Sequence, residues 1–262
     1  MKNLHKAYYK DYFDNLDFGY LLNNSDGPVV EIKRRNAALT APNLFQQIPQ
    51  NPMVNHSFQL QISYPGLVTG IGINHEASIE GEFKLGVHFD WTHGMPVVYG
   101  SSVKGVLRSA FKDGYVDADL VKKANEKDGL KNDEKVPEWV RDEKNMKAII
   151  DDLFEGKGKS IYNRDIFFDA VIVEADSQGR ILASDSITPH GGENHDNPLK
   201  NPTPLTFMKI ASGCKMEFRF KLVDSDINGK PFTAAQKRTL FEEILKTVGV
   251  GAKTNVGYGQ LK

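Results

Sequence analysis

The chain has 262 residues, 40% hydrophobic and 10% aromatic, which suffices for a real core and excludes wholesale disorder. Its 33 basic and 34 acidic side chains leave a net charge of −1, so no global positive field draws in nucleic acid and any such contact must come from local patches. Cys214 is the one cysteine, which excludes an internal disulfide and fits a reducing cytoplasm. The opening Met1-Lys-Asn-Leu-His-Lys6 lacks a signal-peptide apolar run, and the longest apolar stretches fall far short of the roughly 20 residues that span a bilayer. A soluble cytoplasmic protein is expected.

Residues 1–57 read as an irregular N-terminal extension. The stretch from Met1 to Leu22, rich in tyrosine and lysine, has room for a helix, Asn23-Asn-Ser-Asp-Gly-Pro28 is turn chemistry, and Pro42, Pro49 and Pro52 discourage any long element. From residue 58 to 262 a single domain is expected. Phe58-Gln-Leu-Gln-Ile-Ser-Tyr64 alternates with period two, a half-buried strand, and Leu67 to Ile73 suggests a bulged strand or loop edge after Pro65-Gly66. Ser101 or Ser102 is the expected N-cap of a helix whose apolar face is Val103, Val106, Leu107, Ala110 and Phe111, closing at Gly114.

Residues 122–160 carry dense, balanced charge and read as an exposed insertion, with a helix over Asn145–Phe154 inside it. Ile166 to Val173 reads as a central strand interrupted by Asp169. A long loop is expected within 185–210, its irregular part running from Ile187 to Pro204. Lys215-Met-Glu-Phe-Arg-Phe-Lys-Leu222 alternates cleanly as a strand. Thr233 and Gln236 form a capping box for a helix whose buried face is Leu240, Phe241, Ile244, Leu245 and Val248, ended by Gly249, and Val256 to Leu261 closes the chain as a last strand. Strand, helix, strand, strand, helix, strand is the βαββαβ plan of an α+β, ferredoxin-like or RRM-like fold.

Two segments stand out for function. Tyr99-Gly-Ser-Ser-Val-Lys-Gly-Val-Leu-Arg108 opens a helix, where unpaired N–H groups and the helix dipole favour an anion, and Lys104, Arg108 and Lys112 line one stripe. Against this, charged helix faces are mostly solvation. Gly249-Val-Gly-Ala-Lys-Thr-Asn-Val-Gly-Tyr-Gly259 looks like the end of a P-loop at Gly251-Ala-Lys-Thr254, but Ala252 precedes Lys253 and the loop follows a helix, so the match fails. A tight left-handed connection would explain its glycines; so would the close approach of an RNA backbone, with Lys253, Thr254 and Asn255 as contacts beside Gly249, Gly251 and Gly257. The expectation is that folding sets the two segments side by side as one phosphate cradle, with Gly100, Ser101, Ser102, Lys104 and Arg108 on the other wall.

His75, His88, His93, His190 and His195 are scattered without HxH, HExxH or CxxC spacing, so no metal, cofactor or catalytic set is expected. Asp169 is a catalytic candidate, more commonly a hydrogen-bonded structural residue. Trp91 and Trp139 could stack on bases or pack in the core.

The run Phe89-Asp-Trp-Thr-His-Gly-Met-Pro-Val-Val-Tyr-Gly-Ser-Ser-Val-Lys-Gly-Val-Leu-Arg108 resembles the glycine-serine-lysine signature of RAMP proteins, the repeat-associated subunits of CRISPR effector complexes. Gly249–Gly259 is similar to their C-terminal glycine-rich loop, and Asp185–His190, Asn201–Lys209 and Phe167–Ala170 are similar to segments of the branch that supplies the sixth subunit of type III-B (Cmr) complexes. One departure is Tyr99, where the family has proline. The resemblance, from about Leu67 to the C-terminus, implies a modified ferredoxin-like RAMP domain with insertions. It also implies a structural role, binding crRNA and target RNA near the crRNA 3′ end and packing on other Cmr-complex RAMP subunits. His190, Asn201 and Lys209 would belong to a thumb loop. The region where a neighbouring backbone subunit carries a cleaving aspartate is Gly70-Ile-Gly-Ile-Asn-His-Glu76, with His75 and Glu76 but no aspartate, so no nuclease activity is expected. The alternative is a RAMP endoribonuclease that processes CRISPR repeat RNA, with His75 or His93 as general base.

Overall fold

An antiparallel sheet organises the protein. The computed structural model describes residues 3–16, 27–70, 79–84, 86–188 and 204–262. Helices α1 (Leu4–Tyr9) and α2 (Gly27–Leu39) precede β1 (His56–Gln61) and β2 (Val97–Val98). Then come α3 (Gly100–Lys112), α4 (Ala118–Asn125), α5 (Glu143–Ile150), β3 (Ile166–Phe167), β4 (Ala170–Glu174), β5 (Leu182–Ile187) and β6 (Leu205–Ile210). The chain finishes with β7 (Lys215–Lys221), β8 (Ser225–Ile227), β9 (Lys230–Phe232) and α6 (Ala234–Val248).

The main sheet runs β1-β7-β4-β2, all antiparallel, with β3 paired to the same side of β7 as β4. β1 and β7 are in register from His56 opposite Phe220 to Gln61 opposite Lys215. Phe58 stacks on Phe218 and Phe220 at 5.6 and 5.5 Å between ring centres, so alternation in the two strands becomes one aromatic layer. Beyond β1, the last residues lie alongside Gln61–Gly66: Gln61 and Lys262 exchange N–H···O bonds of 2.8 and 3.0 Å, and Gly259 N donates to Gly66 O at 2.8 Å. The expected last strand over Val256–Leu261 is therefore not a strand. Thr254–Val256 is a 3₁₀ turn, and Leu261 makes a single bridge to Ile62. Even so, the spatial order of last run, β1, β7, β4 is that of the ferredoxin-like plan, modified by β2 at the edge. The class is α+β.

α6 forms as its pattern predicts: the Thr233 hydroxyl accepts from Gln236 N, and the Gln236 side chain accepts from Thr233 N. Leu240, Phe241, Ile244 and Leu245 are buried. α3 buries Val103, Leu107, Ala110 and Phe111, also as predicted, and Gly114 takes the left-handed position after its end.

Three further expectations fail. The expected strand Ile166–Val173 breaks at Phe168-Asp169 into β3 and β4. The segment 122–160 is not an exposed excursion: Val136, Val140, Ile149, Leu153 and Phe154 join the same core as the sheet, and only its charged faces meet water. The N-terminal region holds two helices, α1 and α2, before an irregular stretch up to residue 55, and Leu4, Tyr8, Tyr12, Ile32 and Leu39 lie in that core. Tyr8 Oη donates to Phe83 O at 3.1 Å and Tyr12 Oη accepts from Phe83 N at 2.9 Å, which fastens this region to the body.

Candidate nucleic-acid interface

The helix start comes first. α3 begins one residue before the expected Ser101 or Ser102 cap: its N-cap is Tyr99, whose side chain makes no capping bond. The Gly100 N–H donates instead to Asp169 Oδ1 at 2.7 Å. The strand break at Phe168-Asp169 turns this carboxylate toward the helix, so Asp169 is a structural cap and already supplies the negative group favoured at a helix N-terminus. Gly100 is itself buried, and a Cβ there would collide with Phe167 O, so this glycine permits close packing of helix on strand. Beside it lies a cavity of about 330 Å³ lined by Gly100, Ser101, Lys104, Glu155, Arg164 and Asp165. Its charge is mixed. Arg108 is paired with Glu155 at 2.9 Å, and Arg164 donates to Lys159 O.

The glycine loop is built differently. α6 ends at Gly249, and the loop folds back on its own chain: Val250 N donates to Gly259 O at 2.9 Å and Ala252 N to Val68 O at 2.6 Å. A Cβ on Gly251 would strike Val68 O, so close approach of protein backbone explains this glycine. What remains is the tip. Lys253 sits at φ 61°, a conformation uncommon for a residue with a side chain, and it forms no ion pair among the described residues. The backbone N–H groups of Lys253, Thr254 and Asn255 likewise find no acceptor among the described residues, an arrangement able to receive an anion. Asn255 and Val256 are exposed.

Under the tip Tyr258 is buried, its hydroxyl donating to Asp185 Oδ2 at 2.8 Å, while Lys209 Nζ reaches the same oxygen at 2.5 Å. Burial works to raise the Asp185 carboxyl, but these two donors outweigh it and hold it below the usual carboxylate range. Burial, then Asp185, pushes the Tyr258 phenol up to about 12, with a smaller push from nearby Tyr64.

The two segments do not form one cradle. α3 starts beside Phe167, which pairs with Phe220, and α6 starts past the same end of β7. Both helices run toward the other end, where Val106, Ser109, Ala110 and Tyr115 of and after α3 line a groove with Val248–Gly251 and Thr254. The glycine loop therefore meets α3 from Val106 onward, six residues or about 9 Å of helix beyond Gly100. Parallel-running helices cannot bring one's N-terminus to the other's C-terminal loop.

The RAMP superfamily model matches residues 52–262. The chain belongs to the RAMP superfamily. The CRISPR system Cmr subunit Cmr6 of Pyrococcus furiosus is 27% identical over 231 residues, an alignment covering 74% of this chain and 64% of that protein. The chain thus spans less than two thirds of this relative's length. Among solved structures, a cryo-EM structure of the type III-B Cmr-beta bound to cognate target RNA matches with TM-score 0.49 and 18% identity, covering 79% of this chain and 57% of that one. The crystal structure of Cmr6 from Pyrococcus furiosus matches with TM-score 0.36 and 19% identity, covering 79% and 97%.

In this RAMP chain Lys209 is not on a loop. It lies in β6, 8% exposed and paired with Asp185 of β5, and the two antiparallel strands take up both ends of the 185–210 segment expected to be a loop, flanking its irregular part. His190 and Asn201, like His75, Glu76 and His195, lie outside the described residues. Trp139 packs edge-on against Phe232, whereas Trp91 is exposed and its ring meets His5 at 4.4 Å. His93 Nδ1 lies 2.9 Å from Asp90 Oδ1, which also accepts the His93 N–H. Among the described residues no three His, Cys, Asp or Glu side chains gather as metal ligands, and no helix is long and apolar enough to cross a membrane. Tyr64 lies exposed in the turn that follows β1, where the adjoining Pro65-Gly66 is the only sequence signal.

Proposed function

We propose that this RAMP protein is a non-catalytic, RNA-binding structural subunit of a type III-B CRISPR effector complex in the cytoplasm, holding crRNA and target RNA near the crRNA 3′ end and packing on neighbouring RAMP subunits. Its likeness to a protein named as a Cmr subunit supports the assembly. The observation that carries RNA contact is the loop tip, where half-buried Lys253 and three backbone N–H groups that find no acceptor among the described residues present a positive surface. Lys104 and Arg108 form a second, weaker contact region, since Glu155 already holds Arg108.

Two measurements test this. Chain recovered from its native cell should bring RAMP partners and a short guide RNA with it; recovery alone would overturn the reading. Salt titration of RNA binding should give a slope that falls by roughly 0.7 on Lys253→Ala, one single-strand phosphate contact, and by less on Arg108→Ala.

The His93–Asp90 pair favours a second reading, an endoribonuclease that processes repeat RNA. Metal-independent cutting of labelled repeat RNA that His93→Ala abolishes would establish it.

A further inference from the structure

Tyr64 is 85% exposed, and among the described residues its ring meets no other ring and its hydroxyl makes no hydrogen bond. Such a side chain adds nothing to the core. Its position, however, is tightly set. Ser63 N donates to Gln260 O at 2.9 Å on one side, and Gly66 O accepts from Gly259 N at 2.8 Å on the other. Gly257 lies against Pro65, close enough that a Cβ on it would be 3.7 Å from the proline ring. Backbone bonding on both flanks therefore mounts Tyr64 beside the glycine loop, which also carries Val256, 68% exposed. The same loop carries Lys253, without an ion-pair partner among the described residues.

An exposed aromatic ring beside a loop whose lysine has no ion-pair partner among the described residues is the combination that single-stranded nucleic acid uses: the ring receives a base face and the cation the adjoining phosphate. We propose that Tyr64 is a stacking platform for one unpaired RNA base whose phosphate is held by Lys253. This rests on the RNA-binding reading above and adds a residue and a mode of contact to it. The surface selects a single strand over a duplex, because inside a duplex each base face is already covered by its stacked neighbours. It is also indifferent to base identity, because every base has a π-face.

The test uses the full chain at low salt with a single-stranded RNA carrying 2-aminopurine at successive positions. One position should show quenched fluorescence on binding. Tyr64→Ala should lose that quench and weaken affinity about fivefold to 150-fold while leaving the salt slope unchanged; Tyr64→Phe should restore both. Lys253→Ala should do the converse, lowering the slope and keeping the quench. No RNA binding by the wild-type chain would overturn both this inference and the RNA-binding reading. Normal binding and quench in Tyr64→Ala would overturn the inference alone. A Tyr64→Ala chain that binds RNA normally but no longer co-purifies with RAMP subunits would assign the surface to a protein neighbour instead, and the inference would again fail.

Discussion

Asp169 Oδ1 stands 2.7 Å from the backbone nitrogen of Gly100, joining residues 69 positions apart. A carboxylate borrowed from a broken strand thus caps the helix that carries the signature motif. Asp169→Ala should destabilise the fold by about 0.5–2 kcal/mol in urea titration, the range for a lost N-cap. Asp169→Asn keeps an acceptor oxygen and should lose less. An Asp169→Ala protein as stable as wild type would remove the capping role.

Lys237 and Asp165 are 0% and 1% exposed and pair at 2.7 Å. Lys237 Nζ also reaches Val223 O and Ser225 Oγ, and Asp165 Oδ1 accepts from Val223 N. Burial pushes the aspartate up and the lysine down, each opposed by its partner. Removing one partner strands a buried charge, so Lys237→Met should cost about 3–5 kcal/mol. Adding Asp165→Asn to it should recover part of that loss, read as a rise in the denaturation midpoint over the single variant.

His88 is 7% exposed, stacks on Tyr99 at 4.3 Å, and neither ring nitrogen finds a partner among the described residues. Burial lowers its pKa, and Asp169 only partly opposes this. The folded protein therefore resists a proton that the unfolded chain accepts below about 6.5, and stability should fall as pH drops through that value. His56 is lowered too, by burial and Arg238, and adds in the same direction. Melting temperature should decline between about pH 7.5 and 5.5, and His88→Phe, which keeps the ring stack, should flatten the decline. An unchanged slope would show that His88 does not titrate on unfolding.

Cys214 is buried, and burial, followed by the nearby Asp176 charge, pushes its thiol up to about 12. It should be inert to a thiol reagent in the folded protein near pH 8 and react stoichiometrically in denaturant. Rapid labelling without denaturant would contradict the burial.

Legibility in the sequence followed locality. β7 and α6 were readable because alternation and a capping box are written within a few residues. The start of α3 was not, because its cap comes from Asp169 and no serine at hand is used. α2 hid behind Gly27-Pro28, which reads as a turn although proline is well tolerated in a first helical turn. The glycines of the last loop suggested an approaching ligand, yet Gly251 faces Val68 O, a contact between segments nearly two hundred residues apart. The opposed placement of the two motifs depends on which way α3 runs against the sheet, a global property with no local trace.

That placement has an energetic corollary. About 9 Å of helix, the rise of about three nucleotides along a duplex strand, separates Gly100 from Val106, where the groove shared with the glycine loop begins. Perturbations at Ser101 and at Lys253 should then combine additively, with a coupling term near zero in a double-mutant cycle. A ligand touching both would have to bridge them in register, so its length, rather than its composition, would decide whether it engages one grip or two.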